Sequence, residues 1–339
     1  MKKLLMRWEW ILVVLIAAVY LYFHFRMPDT YTLKNLLGQT RVYMVDVGFL
    51  ALGATLILIL GDIDISVAST AGLSVTVMAV SYNGGVPFWL SMGFALLTGA
   101  ACGAFNGILV TRFKELFAMI ITLSTMTLYR GIAYIILKDQ SSGGFPGWFT
   151  KDLGYGTIGA TPLPIMLVFI LALFPLFHVV LHHTTTGRRL FATGANITTA
   201  RYSGVRTDRI KLVTFIVNGL LAAICGIFLC ARTGSVKYTI GTGFEMQAIA
   251  IAVLGGASTA GGKGSVPGVF LSLILMTCLK NGLTLLFNDQ FILNLSVGIL
   301  LIGVVLVPNI LSLLQARAEV GRRRRAAFRE SNGAEASLK

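Results

Sequence analysis

Apolar residues gather in runs of about 20, the length a helix needs to cross a bilayer core of roughly 30 Å. Such runs occupy 8–25, 42–60, 88–110, 116–137, 165–181, 213–231 and 291–307. Two further regions are apolar but interrupted by glycine and small polar residues. One is 67–80, behind a polar break at 61–66; the other is 247–287, broken at 255–264. Counting the second as two passes predicts ten spans, some of them broken by Gly-rich segments. The pattern is that of an all-α integral membrane protein.

Composition agrees. Of 339 residues 55% are hydrophobic and 12% charged, about half the charged share of soluble domains. Mean hydropathy is +0.79. So little charge could not cover a water-facing surface. Cys102, Cys225, Cys230 and Cys278 lie inside apolar stretches without C-x-x-C spacing, which supports neither a disulfide framework nor a zinc site.

The net charge of +14 would suggest nucleic acid in a soluble protein, but here its placement sets orientation. Lys and Arg concentrate in the N-terminal segment, in 111–115, in 182–211 and after Gln315, where Arg322, Arg323, Arg324 and Arg325 are consecutive. By the positive-inside rule these lie in the cytoplasm. Both termini are then cytoplasmic, and an even count such as ten follows. The first run has no small-x-small cleavage pattern before Arg26, so an uncleaved first span is expected. Residues 1–315 read as the transmembrane domain and 316–339 as a basic, disordered cytoplasmic tail, suited to anchoring topology or touching membrane lipids rather than nucleic acid.

Glycine-interrupted hydrophobic segments in the two halves of a chain point to a transport site. The first break is Gly61-Asp62-Ile63-Asp64-Ile65-Ser66, running on to Ser69; the second region runs from Phe244-Glu245-Met246-Gln247 to Gly255-Gly256-Ala257-Ser258 and Gly264. Asp62, Asp64, Ser66, Ser69, Glu245, Gln247 and Ser258 are the substrate-path candidates, since charge near membrane depth is costly. The competing reading for Asp62, Asp64 and Glu245 is capping of the following helix. The 257–265 stretch fails two of the four fixed positions of a phosphate-binding P-loop. No nucleophile–base or metal-ligand constellation stands out, so the chain is read as no enzyme. Gly99, Gly103 and Gly107 place small residues on one helical face, for internal packing or a dimer seam.

The loop at about 183–211 holds six basic residues and, between Gly194 and Gly204, room for two to three helical turns. A short helix there could dock in a partner's groove, or the segment could be an ordinary basic loop.

Four ordered motifs resemble the permease subunits of bacterial carbohydrate-type ABC importers. They are Gly61-Asp62-Ile63-Asp64-Ile65-Ser66-Val67; Thr122-Leu123 with Tyr129-Arg130-Gly131; Ala192-Thr193-Gly194-Ala195-Asn196 with Ala200-Arg201 and Ser203-Gly204-Val205; and Gly241-Thr242-Gly243-Phe244-Glu245-Met246 with Val253-Leu254-Gly255-Gly256. The similarity runs from about Ala51 to Val307. The chain departs from the family pattern at Asp62 and Ala68, where glycines are usual, and at Gln247, where an acid is frequent. The motifs look closest to autoinducer-2 permeases, with rhamnose-type permeases near.

The resemblance implies a ten-span inner-membrane permease paired with a second copy or a sister permease. A periplasmic or lipid-anchored sugar-binding protein would deliver substrate, and cytoplasmic ATPase subunits would bind ATP and Mg, leaving no cofactor in this chain. Gly194, Asn196, Ala200, Arg201, Ser203 and Gly204 would seat on the ATPase. The rival from another class is an ion-coupled transporter or channel, for which Asp62, Asp64, Arg130 and Lys280 are the intramembrane charges, scattered in sequence.

Overall fold

The computed structural model of the chain describes residues 8–287, with Leu295, Gly298, Ile299 and Ile302 beyond them. The chain divides into two units, Met1–Gln290 and Phe291–Lys339. In the second, the four residues just named are helical. The span expected at 291–307, the tail 316–339 and the basic residues Lys2, Lys3 and Arg7 otherwise lie outside the described residues.

Over its described residues the first unit is helical almost throughout. In chain order it contains α1 (Trp8–Arg26), α2 (Leu33–Ile59), α3 (Val67–Asn83), α4 (Phe88–Arg112), α5 (Ala118–Leu137), α6 (Ile165–His183), α7 (Thr185–Ala195), α8 (Ile197–Tyr202), α9 (Thr207–Thr233), α10 (Phe244–Leu254) and α11 (Val266–Phe287). A π-type turn at Trp148–Leu153 and a two-residue strand pair, β1 (Ser142–Gly143) against β2 (Ser235–Val236), tie the long loops together at one end. Seven of these helices, α1, α2, α4, α5, α6, α9 and α11, are long and apolar enough to cross a membrane.

Two helices run well beyond their apolar runs. The Thr32 side chain caps α2 by accepting the Asn35 N–H, so the helix begins nine residues before the apolar run at Val42, through Asn35, Gln39 and Arg41. Similarly α9 begins at Thr207 through the polar turn Asp208-Arg209. At 1.5 Å per residue its 27 residues span about 40 Å. The largest difference from expectation is α10. It has 11 residues, about 16 Å of helix, too short alone to cross the bilayer core. The cause is local: Gly241 and Gly243 take left-handed φ of 72° and 89°, which helix cannot continue through, so the chain enters α10 from an irregular stretch.

At the centre α9 packs against α2, α3 and α4. The small-residue stripe on α4 lies against α9: a Cβ on Gly99 would fall 2.4 Å from the Gly219 carbonyl, and one on Gly103 2.3 Å from that of Phe215. Backbone therefore meets backbone, and the stripe is internal packing. In the opposite sense to a soluble protein, large apolar side chains such as Val14, Phe25, Leu97, Ile135, Val168 and Leu176 point outward, as a lipid-facing surface requires. At the end of the molecule where α4 starts, Trp89 and Trp148 stack at 4.6 Å and Phe88 meets Phe149 edge-on at 4.7 Å, in keeping with the aromatic belts of membrane interfaces.

Candidate functional site

The two glycine-bearing breaks, distant in sequence, meet at one point, and the 183–211 segment meets them there. The Gly262 N–H donates to the Ile59 carbonyl at 2.8 Å. Gly194, near the end of α7, lies so close that a Cβ would fall 1.7 Å from the Ile59 oxygen and 2.8 Å from the Gly262 nitrogen. Gly261 completes the contact, its Cβ position 2.5 Å from the Gly194 oxygen and 3.0 Å from the Gly61 Cα. Only glycine allows three backbones to approach this closely.

Around this junction the candidate coupling residues build a short two-helix element. Thr184 caps α7 and Asn196 caps α8, the latter accepting the Thr199 N–H at 2.9 Å. Ala200 is buried, and the Ser203 hydroxyl donates to the Thr199 carbonyl. Gly204 takes a φ of 80° with open space around it, the turn into α9. Arg201 donates to Asp208 at 2.6 Å, and Lys114, from the loop between α4 and α5, pairs with the other oxygen of Asp208 at 2.9 Å. Asp62 faces the same side and pairs with Lys211 at 2.7 Å. These groups line an open cavity of about 470 Å³.

Asp64 sits deeper, 5% exposed, and holds a network spanning four helices. One carboxylate oxygen accepts the Ser66 N–H at 2.8 Å and the Ser66 hydroxyl at 2.7 Å; the other accepts the Asn218 amide of α9 at 2.8 Å. Asn106 of α4 donates to the Ser66 oxygen, and the Tyr129 hydroxyl of α5 donates to Asn106 Oδ1. The Thr122 side chain bridges the backbone of the break itself, between Ile63 and Ile65. Irregular backbone at membrane depth must be satisfied by protein groups, and this network satisfies it at the start of α3. Ser69, one turn on, is 1% exposed and its hydroxyl has no partner among the described residues.

The second irregular stretch, ahead of α10, is held by Arg130 of α5. Its Nη1 donates to the carbonyls of Tyr238 and Ile240, at 2.5 and 2.8 Å. Glu245 folds back so that its carboxylate accepts the Gly243 N–H. Gln247, one turn into α10, accepts from the Lys280 ammonium of α11. Ser258 is part of the turn that follows, accepting the Ala260 N–H at 3.2 Å.

One buried group escaped the reading of the sequence. Asp46 in α2 is 2% exposed and pairs with Arg232 of α9 through both carboxylate oxygens, at 2.6 and 3.3 Å. Lys280 lies close by, its ammonium 5.6 Å from the centre of the Tyr43 ring. A signal was present: Asp46 is a lone carboxylate inside a run that already reads as a span.

Seven helices long and apolar enough to cross a membrane, with two broken segments meeting on a short helix pair, are the architecture of a multi-pass membrane protein. The comparisons agree. The family model for the permease component of the branched-chain amino acid transport system matches residues 36–308, and the chain belongs to that family. It is 37% identical to the autoinducer 2 import system permease protein LsrC of Photorhabdus laumondii over 76% of each chain. It is 34% identical to the autoinducer 2 import system permease protein LsrD of Klebsiella pneumoniae, over 90% of this chain and 92% of that one. Against the ribose import permease protein RbsC of Escherichia coli K12 identity is 35%, over 83% of this chain and 88% of that one. No solved structure matches. The resemblance carried by the sequence motifs is thus a family relationship.

Proposed function

We propose that the chain is the membrane subunit of an ABC importer that moves a small sugar or sugar-like solute, such as ribose or autoinducer 2, across the bacterial inner membrane. Relatives of both kinds lie at similar identity. The chain crosses the membrane ten times, α10 doing so together with the irregular stretch ahead of it, and both termini are in the cytoplasm. ATP and Mg are bound by a separate ATPase, and a binding protein delivers the solute outside.

The observation that carries this reading is the junction at Ile59, Gly194 and Gly262. The α7–α8 pair, Thr185–Ala195 and Ile197–Tyr202, carries the exposed basic residues Arg188 and Arg201, a surface suited to a cytoplasmic partner. Force applied there passes without slack into both broken segments, because no side chain intervenes. Asn196, Ala200, Arg201, Ser203 and Gly204 shape the seat, and Gly194 transmits. Two copies of the chain, or this chain and a sister permease, enclose the path.

The path runs along the irregular stretch before α10. Ser124 and Thr127 on α5 are exposed among apolar neighbours such as Leu123 and Leu128, and Thr239 and Thr242 are exposed on the stretch held by Arg130. Thr127, Arg130 and Tyr134 share one helical face, and Tyr134 packs against Tyr238 at 5.0 Å. Hydroxyls on an apolar wall suit a solute with many hydroxyls of its own. Glu245 and Gln247 flank the path, and Asp62, Asp64, Ser66, Ser69 and Ser258 support the breaks beside it.

The test is reconstitution in proteoliposomes with the ATPase and binding protein encoded beside the gene. ATP-dependent uptake of labelled ribose or autoinducer 2 is expected. Uptake by the chain alone, driven by an ion gradient, overturns the importer reading and makes Asp46, Arg232 and Lys280 the coupling candidates.

A further inference from the structure

A second cavity, of about 740 Å³, lies between the end of α6 and the start of α9. Its rim and its depth have opposite character. Arg189, Arg206 and Arg209 stand at the rim, all exposed, and among the described residues none forms an ion pair with a carboxylate. The acid closest in sequence, Asp208, is committed to Lys114 and Arg201, and no acidic residue lines the cavity. The interior is apolar, walled by Phe177 and Val180 of α6 and Val217 of α9.

Helix geometry gives the depth. Val217 lies eight residues beyond Arg209 along α9, about 12 Å at 1.5 Å per residue, and Phe177 lies about 9 Å before the end of α6. The cleft therefore carries three guanidinium groups, without carboxylate partners among the described residues, at the polar ends of α6 and α9, and continues some 10 Å along the apolar lengths of these two candidate spans. A cytoplasmic protein could reach the rim but not the interior. A water-soluble phosphate would fill the rim and leave the interior empty. A phospholipid fits both.

We propose that this cleft is a binding site for an anionic phospholipid of the cytoplasmic leaflet. Its phosphate is held by Arg189, Arg206 and Arg209, whose planar guanidinium groups suit paired hydrogen bonds to phosphate oxygens. One acyl chain lies between α6 and α9. Arg189 belongs to α7 and Arg206 to the turn after α8, so the bound lipid bridges the interfacial helix pair to the two spans that flank it.

The test uses the full chain, purified in detergent and stripped of lipid, with native mass spectrometry and thermal unfolding as readouts. Phosphatidylglycerol, phosphatidylcholine with the same chains, and glycerol 3-phosphate are the probes. The wild type is expected to retain phosphatidylglycerol in preference to the other two and to unfold at higher temperature with it. The triple variant R189Q/R206Q/R209Q should weaken phosphatidylglycerol binding by on the order of tenfold or more and leave phosphatidylcholine unchanged. Val217→Trp, which fills the deep end and leaves the arginines in place, should weaken it too, and wild-type phosphatidylglycerol binding by this variant would equally overturn the site. Arg188→Gln, beside the cleft but not lining it, should bind as wild type.

Equal binding of the two lipids, or wild-type binding by the folded triple variant, overturns the proposal. Glycerol 3-phosphate binding as well as the lipid does so too, by showing an anion site without a chain. So does protection of the three arginines from chemical modification by the ATPase subunit but not by phosphatidylglycerol, which would make the cleft a protein interface.

Discussion

The Gly262 N–H donates to the Ile59 carbonyl at 2.8 Å, joining the end of α2 to the turn between α10 and α11 across some 200 residues of chain. Helix ends carry carbonyls with no partner inside the helix, and here the partner of one comes from the other half of the molecule. The two breaks therefore form a single joint, and Gly194 rests on it.

Gly194→Leu should uncouple the transporter. A Cβ there would fall 1.7 Å from the Ile59 oxygen, so α7 must lift away. ATP-driven uptake in proteoliposomes is expected to fall by at least an order of magnitude, with the bundle still folded by circular dichroism. Gly38→Ala, on α2 with nothing within 4 Å, is the control and should transport normally. Wild-type uptake by Gly194→Leu would show that the junction transmits nothing.

The Asp64 network is expected to be a stability element. Asp64→Asn places an amide where all three partners donate, and a buried donor left unmatched costs about 1–3 kcal/mol. Tyr129→Phe removes only the hydroxyl that serves Asn106 and the Cys102 carbonyl, for about 1 kcal/mol. Thermal unfolding in detergent should rank Asp64→Asn below Tyr129→Phe, and both below wild type. The reverse order would mean that Asp64 does not hold the break.

Removing one partner of the Asp46–Arg232 pair should be worse than removing both. Arg232→Leu leaves a carboxylate buried without its cation, a loss of about 3–5 kcal/mol by the general behaviour of such pairs. Asp46→Leu combined with Arg232→Leu should recover a large part of it. A double-mutant cycle on unfolding midpoints measures the coupling; additive losses would show that the two side chains act independently.

Arg130→Met should free the stretch ahead of α10. It strips donors from the Tyr238 and Ile240 carbonyls, and Thr239 and Thr242 lie on the proposed path. Hydrogen exchange across 237–244 is expected to rise while exchange in α4 stays unchanged. Independently, cysteines at Thr127 and Thr242 should react with a membrane-impermeant maleimide if that face is wet; inert cysteines at both positions would move the path elsewhere.

The helices were legible where apolar runs end at abrupt polar or glycine signals. The run at 88–110 becomes Phe88–Arg112, closed by Pro87 before it and the polar Thr111-Arg112 after. Boundaries slipped where a polar turn is helical because a cap or a neighbour holds it, as at Thr32 for α2. The broken segments could be recognised from their glycines, but not that they touch. That contact depends on three backbones converging from α2, α7 and the turn after α10, and no local pattern encodes it. The pairing of Asp46 with Arg232 was likewise hidden, because the two lie 186 positions apart.

The glycine seam between α4 and α9 has a mechanical consequence. With Gly99 against Gly219 and Gly103 against Phe215, the two helices cannot slide without driving one backbone into the other. They form a two-ply strut about 40 Å long, stiffer than either rod alone. One end stands beside the α7–α8 pair and the other beneath the stacked tryptophans, so a small tilt at the foot is delivered undiminished at the head, as in a rocker rather than a spring.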